Sequence, residues 1–249
     1  MKCNNKITFL CSMKLSVIRF CKKTFIRLQL HRFFGLFGFL LANLLYLTRL
    51  SQWAFKNRKV KYNDFPSKWD YAKRYPMYKW VMEQENLYTG INYLEFGVAT
   101  GQSFRWFMNE NKDENSRFYG FDTFDGLPED WGPYKKGTFS NFNKIPEIND
   151  NRGKFYQGLF QQTVPGFLQG LDKSKRNVLM MDADLYSATL FALASVAPYL
   201  KKGDIIFFDE FGVPTHEFKA FMDFTQSYYV NLELVAAANN YYFAAFKVV

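Results

Sequence analysis

The sequence predicts an α/β fold, a Rossmann-like doubly wound sheet that follows a basic, partly hydrophobic N-terminal helical arm. Three stretches support this prediction. Residues 91–128 show the pattern of strand, glycine turn, helix and strand. Residues 178–208 hold two unbroken apolar runs, which are typical of buried parallel strands. Residues 232–248 predict a hairpin, so 62–249 should form one domain of the 249-residue chain.

The N-terminal arm, residues 1–61, carries thirteen of the 32 Lys and Arg residues and none of the 23 acidic ones. The net charge of +9 therefore originates in the arm and gives no indication that the domain binds nucleic acid. The cysteines, Cys3, Cys11 and Cys21, also lie there, and their spacing fits no zinc site. A domain without cysteine indicates a reducing, cytoplasmic compartment.

Within the arm, residues 33–48 form an uncharged apolar segment. A helix that crosses a bilayer needs about 20 apolar residues, so this segment is short for a span. The mixture of apolar and basic residues upstream favours a helix lying on an anionic membrane surface, with peripheral or monotopic attachment. A true span and a misassigned start, with Met13 as the real one, remain alternatives.

Residues 91–128 predict a cofactor pocket. Gly97 and Gly101 bracket a turn where backbone must approach a ligand, and Thr100 or Ser103 could cap the next helix. Asp122 ends the second strand, at the ribose-binding position of doubly wound sheets. Glu95 would repel a pyrophosphate, whereas it suits the ammonium and sulfonium of S-adenosylmethionine. An ordinary strand-turn-helix without a cofactor remains the alternative, and no P-loop motif occurs.

The segments on either side of this unit bear on the substrate. Residues 123–153 form a long irregular stretch that predicts a lid, because structureless loops of this length are uncommon unless functional. An insertion without function is the alternative. The aromatic residues of 62–90 predict packing onto the sheet in preference to a substrate mouth.

Carboxylates follow two of the predicted parallel strands. Asp182 and Asp184 come after one apolar run, and Asp209 and Glu210 come after the next. Since parallel strands end at the same edge of a sheet, these oxygens could hold a divalent cation beside the cofactor. They could equally form hydrogen bonds or contact the cofactor's ammonium with no metal.

From about residue 90 onward, the chain resembles class I S-adenosylmethionine-dependent methyltransferases, and it is similar to the macrocin O-methyltransferase family. LEFGVATGQS, GFDTFDGLPEDW, DADLYSATLFAL and GDIIFFDEF are the motifs that carry this resemblance. It implies a seven-stranded sheet whose last strand is antiparallel. It also implies a set of cofactor contacts (Glu95, Gly97, Gly101, Ser103 and Asp122) and a set of Mg2+ ligands (Asp182, Asp209 and Glu210), although the family commonly has Asp in place of Glu210.

The general base is the weakest part of the resemblance. Sugar-modifying members of the family carry a lid His, and residues 123–153 contain none. His216 or Asp182 is then the candidate catalytic base, although His216 could merely begin a helix at 217–224. The favoured interpretation is metal-assisted O-methylation of a sugar or another small or glycolipid-type acceptor, by a chain that could form homo-oligomers. A catalytically silent, membrane-associated cofactor-binding module is the alternative, and a nicotinamide oxidoreductase is a more distant one.

Overall fold

The computed structural model describes residues 2–249, and it describes side chains from Met13 onward. The side chains of Cys3 and Cys11 lie outside the described residues, and Cys21 is an exposed free thiol. The chain divides into two compact units, Met1–Leu45 and Tyr46–Val249. The sequence places the domain boundary later, after residue 61, and that boundary stays a prediction.

The first unit is helical. It contains α1 (Lys2–Arg27), α2 (His31–Phe34), a short 3-10 turn and the start of α3 (Gly38–Asn57). Its apolar side chains face outward, with Leu36 80% and Phe39 79% exposed. Within the described residues, His31–Asn57 is one helical stretch that is long and apolar enough to cross a membrane by length and composition alone.

The second unit is a sheet with helices on both faces. Its helices after α3 are α4 (Arg74–Gln84), α5 (Gln102–Glu110), α6 (Phe160–Leu168), α7 (Tyr186–Val196) and α8 (Glu217–Tyr228). Its strands are β1 (Tyr62–Asn63), β2 (Ile91–Phe96), β3 (Arg117–Asp122), β4 (Gly153–Gln157), β5 (Arg176–Met181), β6 (Ile205–Phe208), β7 (Leu232–Ala238) and β8 (Phe243–Val248).

The strand order is β1-β7-β8-β6-β5-β2-β3-β4, and among these strands only β8 pairs antiparallel with its neighbours. The predicted fold class is thereby confirmed, together with its antiparallel last strand. The sheet has eight strands where the sequence predicts seven. The additional strand, β1, has two residues that pair with β7 at the sheet edge, too few to show any periodicity in the sequence.

The core lies on both faces of the sheet. One cluster packs α6, α7 and α8 against the sheet, and a second cluster packs α4 and α5 against the opposite face. The end of α3 belongs to the first cluster. There Trp53 makes ring contacts at 4.8 Å with Phe211 and 5.8 Å with Phe246, and Leu50 and Ala54 pack beside it. This part of the arm therefore contributes to the domain core.

Strand register brings the functional loops together. Phe96 of β2 lies beside Met181 of β5, and Met181 lies beside Phe208 of β6. Because the three strands are parallel and end level, the next residues, Gly97, Asp182 and Asp209, emerge at one edge. The sheet thus places the predicted cofactor turn beside the predicted acids.

Candidate functional site

A cavity of about 490 Å3 opens at this carboxyl edge of the sheet. The glycine turn lines one side, with Gly97, Ser103 and Asp122, and Asp182 lines the region next to it. The lid contributes Phe139, among other residues. The volume lies in the range of small-molecule and cofactor sites.

The turn depends on Gly97. Its φ is +94°, and a Cβ there would lie 1.7 Å from the Asp182 carbonyl oxygen, so only glycine lets the ends of β2 and β5 approach this closely. Gly101, with φ +75°, occupies the N-cap position of α5. No side-chain hydrogen bond caps this helix, so the expected capping by Thr100 or Ser103 is wrong.

Asp122 ties the turn to the lid. One carboxylate oxygen accepts hydrogen bonds from the Val98 and Ala99 amides, each at 2.7 Å, and the other accepts one from the Phe124 amide at 2.7 Å. Ala99 and Phe124 both have positive φ, 47° and 57°, which is costly for residues other than glycine. Asp122 therefore stabilises the strained backbone at Ala99 and Phe124, in addition to its predicted role in binding the ribose.

Glu95 lies beneath the turn and is fully buried. Its carboxyl accepts hydrogen bonds from the Tyr93 hydroxyl at 2.5 Å and the Ser103 hydroxyl at 2.7 Å. Burial raises the pKa of Glu95 to about 8, against the lowering effect of these two hydrogen bonds. The carboxyl is thus mostly protonated at neutral pH, so the charge argument for the cofactor loses its physical basis here. A direct cofactor contact by Glu95 stays a prediction.

We expect Glu95→Gln to change how stability depends on pH. The folded protein binds the Glu95 proton more tightly than the unfolded chain, whose pKa is near 4.5. The resulting stabilisation is fully present below pH 4.5 and is lost as the pH rises towards 8. Urea unfolding between pH 5 and 8 should show the wild type losing stability relative to the variant. A difference that stays constant would indicate that Glu95 is ionised throughout.

Asp209, at the end of β6, is fully buried and has partners on both oxygens. Oδ2 accepts from the Tyr71 hydroxyl at 2.7 Å and from Arg74 Nη1 at 3.1 Å, while Oδ1 accepts from the Tyr78 hydroxyl at 2.6 Å. Tyr71 and Arg74 also line the cavity, whereas Tyr78 is a core residue. The sequence analysis did not predict that Tyr71, Arg74 and Tyr78 contact Asp209. The aromatic residues of 62–90 are the one sequence feature that could have indicated these contacts.

The other acids stand nearby. Burial is the main cause that raises the pKa of Asp182 well above its usual value, and the charge of Asp209 adds to it. Burial is also the main cause that raises the pKa of Glu210, and the neighbouring Asp184 adds to it. The Tyr242 hydroxyl donates to Glu210 Oε1 at 3.1 Å, and Oε2 is buried without a partner. Side chains of residues 13–249 include no three His, Cys, Asp or Glu grouped closely enough to hold an ion. The assignment of Asp182, Asp209 and Glu210 to Mg2+ stays a prediction.

His216 lies outside the residues that line the cavity. It is the N-cap residue of α8, its ring meets Trp131 edge to face, and its Nδ1 accepts a hydrogen bond from the Tyr186 amide at 3.4 Å. Burial lowers the pKa of His216. This placement favours the alternative in which His216 begins a helix, and its catalytic role stays a prediction.

The segment after β3 covers the site with an aromatic cluster. Trp131 is buried against Leu127 and Leu185, and Tyr134 stacks on it at 5.1 Å. The Ser187 hydroxyl at the start of α7 donates a hydrogen bond to Glu129 at 2.7 Å and so attaches this segment to α7. The segment lacks helices and strands between β3 and β4 and lines the cavity, as a lid would.

Comparison with known proteins relates the central part of the chain to a known family. Residues 94–211 match the family model described as a methyltransferase domain. No curated protein matches the sequence.

Many solved structures are similar to this chain, and two of them illustrate the likeness. CalS11, a calicheamicin methyltransferase, has a TM-score of 0.54 and 22% identity over 72% of this chain and 78% of its own. The O-methyltransferase NovP has a TM-score of 0.55 and 16% identity over 71% of this chain and 78% of its own. At these identities, the likeness shows a shared fold.

Proposed function

We propose that this chain, in which residues 94–211 match a methyltransferase domain, is a class I S-adenosylmethionine-dependent methyltransferase that methylates a hydroxyl group on a sugar or another small or glycolipid-type acceptor. The observation that carries the proposal is that the glycine turn, Asp122 and Asp182 line the same cavity, together with the lid residue Phe139. This arrangement leaves room for a cofactor beside the turn and an acceptor between Asp182 and the lid.

In the proposed reaction, the acceptor oxygen attacks the methyl carbon of the sulfonium while the sulfur–carbon bond breaks. The hydroxyl proton passes to Asp182, which lines the cavity; this requires its carboxyl to be ionised, and its raised pKa then makes it a stronger base. S-adenosylhomocysteine, the neutral thioether, then leaves. The protein contributes mainly by holding the two reactants in line and excluding water beneath the lid.

A divalent cation, Mg2+, belongs to the proposal as a second component. The acids at this edge offer carboxylate oxygens, the chemistry that Mg2+ prefers, and those of Asp209 already accept hydrogen bonds from Tyr71, Arg74 and Tyr78. Asp182, Asp209 and Glu210 are its predicted ligands, and their carboxylates would have to move closer together to hold the ion. When bound, it would lower the pKa of the acceptor hydroxyl.

The cofactor is tested by isothermal titration with S-adenosylhomocysteine. We expect micromolar binding, weakened at least about tenfold, or about 1.4 kcal/mol, by Asp122→Ala. The variant loses the ribose-binding carboxylate and the hydrogen bonds that hold Val98, Ala99 and Phe124. Asp125→Ala, an exposed acid of the same segment, is the control and should bind normally. Tight binding of NAD with no response to S-adenosylhomocysteine would reverse the choice of cofactor.

We also propose that the arm attaches the enzyme to an anionic membrane surface. Exposed apolar side chains alternate there with basic residues such as Lys14, Arg19 and Lys22. The full chain should sediment with anionic vesicles, less so at high salt and hardly at all with neutral vesicles. A chain beginning at Tyr46 should stay in solution. Sedimentation of that shorter chain would place the membrane contact in the domain.

A further inference from the structure

Phe139 is an aromatic residue of the lid that lines the cavity, and 49% of its surface is exposed. Its φ of +65° lies in the left-handed region, which is costly for a bulky side chain. Strain of this kind persists where the surrounding structure enforces it, and it is common at functional sites. A half-exposed ring held at this cost beside a cavity indicates a role in binding.

The lid backbone next to Phe139 is fixed where two of its segments approach closely. The Leu127 amide donates to the Thr138 carbonyl at 2.9 Å, and the Gly137 amide donates to the Leu127 carbonyl at 2.9 Å. Gly126, with φ +85°, lets these segments meet, because a Cβ there would lie 2.5 Å from the carbonyl oxygens of Gly137 and Thr138. These contacts hold the residue that follows Thr138 in one place beside the cavity.

Two aromatic side chains support the Phe139 ring. Its centroid lies 5.1 Å from that of Tyr134 and 6.3 Å from that of Trp131, with interplanar angles of 48° and 57°. Trp131 is buried, whereas Phe139 keeps about half of its surface free. The ring is therefore held by packing while part of its surface stays open to a ligand.

The cavity combines this ring with carboxyl oxygens, because Glu129, Asp182 and Asp184 line it as well. The face of an aromatic ring is negative and attracts weakly positive C–H groups, and carboxyl oxygens accept hydrogen bonds from hydroxyl groups. A pyranose carries C–H groups on its faces and hydroxyl groups around its edge, so it matches both. A phenol could also stack on the ring, but it offers fewer hydroxyl groups to these acids.

We propose that Phe139 selects a pyranose acceptor by stacking on the C–H face of its ring, while carboxyls of the cavity bind its hydroxyl groups. Phe139 is then a specificity-determining residue that positions the acceptor for transfer near Asp182. The inference rests on the proposed methyl transfer and narrows its acceptor class. It is independent of the metal component.

The experiment measures binding of the methyl glycosides of neutral pyranoses to the full chain saturated with S-adenosylhomocysteine, by saturation-transfer difference NMR. We expect binding of at least one glycoside, with strong transfer to its ring C–H protons. Phe139→Ala should weaken this binding about tenfold, and Phe139→Tyr, which keeps the ring, less than about threefold.

Phe142→Ala is the matched control. Phe142 lies in the same lid with a φ of +54° and is 83% exposed, but it does not line the cavity. Its replacement should change glycoside affinity less than about twofold.

Phe139→Asn separates binding from folding, because Asn adopts a positive φ more readily than Phe. Its urea unfolding midpoint should be no lower than that of the wild type, and its glycoside binding should fall as in Phe139→Ala. A lowered midpoint with unchanged glycoside binding would assign the ring to lid packing and overturn the proposal.

Equal glycoside affinity in the wild type and Phe139→Ala would also overturn it. If catechol binds and no glycoside does, the pyranose class is wrong, and if neither binds, the role of Phe139 in acceptor binding is wrong. Titration of the same proteins with S-adenosylhomocysteine distinguishes the two levels of the argument. Retained cofactor binding would leave the proposed methyl transfer standing, whereas a wild type that binds no S-adenosylhomocysteine would contradict the proposed function itself.

Discussion

Replacing Asp182 by Asn is expected to lower the rate of methyl transfer by roughly two orders of magnitude, the scale of losing a general base. The side chain keeps its size, so the cavity wall and the adjoining glycine turn should persist. The rate is measured with labelled S-adenosylmethionine and an identified acceptor. Binding of S-adenosylhomocysteine should stay close to that of the wild type, because the predicted cofactor contacts are made by the turn and Asp122.

Asp184→Asn is the matched control for this prediction. Asp184 belongs to the same DAD motif, but its φ of 60° is a conformation that Asn adopts readily. Asp184 also lines the cavity and its carboxyl forms a hydrogen bond with Glu210, but it is not the proposed proton acceptor, so its loss should reduce turnover less than the loss of Asp182. Similar losses in the two variants would mean that the acid cluster acts as a whole, and an Asp182 variant that fails to bind the cofactor would assign this residue to cofactor binding.

Trp53→Ala is expected to lower the free energy of unfolding by about 3 kcal/mol, at the lower end for a large aromatic residue removed from a core. The indole meets five aromatic rings within 6.3 Å, from Phe211, Phe218, Phe221, Tyr241 and Phe246. Urea denaturation of the variant and the wild type gives the difference directly.

Trp69→Ala provides the comparison, because Trp69 is 55% exposed and its ring contact at 4.6 Å is with Tyr242. It should cost less than half as much stability. Removal of residues before Tyr46 should leave the domain as stable as the full chain, while removal of residues before Tyr62 should destabilise it at least as much as Trp53→Ala. A chain beginning at Tyr62 with undiminished stability would support the domain boundary predicted from the sequence.

The fold could be predicted because its signals are local. The runs at Val178 and Ile205 are unbroken and apolar, and the Gly97 turn lies between a strand and a helix of clear periodicity. The sequence assigns the end of α3 to the arm, because its composition continues that of the apolar segment. Only the packing of Trp53 on α8 and the sheet shows that it belongs to the core.

The site could be predicted only in part, because its electrostatics depend on contacts between distant segments. Arg74 and Asp209 are 135 residues apart, and no pattern in the sequence relates them. Glu95 could be located but its protonation could not, since its pKa depends on burial and on hydrogen bonds from Tyr93 and Ser103. Residue types thus indicate where charge gathers, and the packing decides how that charge is balanced.

The position of β8 also determines the order in which the domain can be completed during synthesis. It follows every other strand in the chain, yet it lies inside the sheet, with β6 on one side and β7 on the other. Until β8 has left the ribosome, the outer edge of β6 has no strand to pair with, and β7 cannot join the rest of the sheet through hydrogen bonds. During synthesis the domain is therefore left with an unpaired strand edge until its last strand is available.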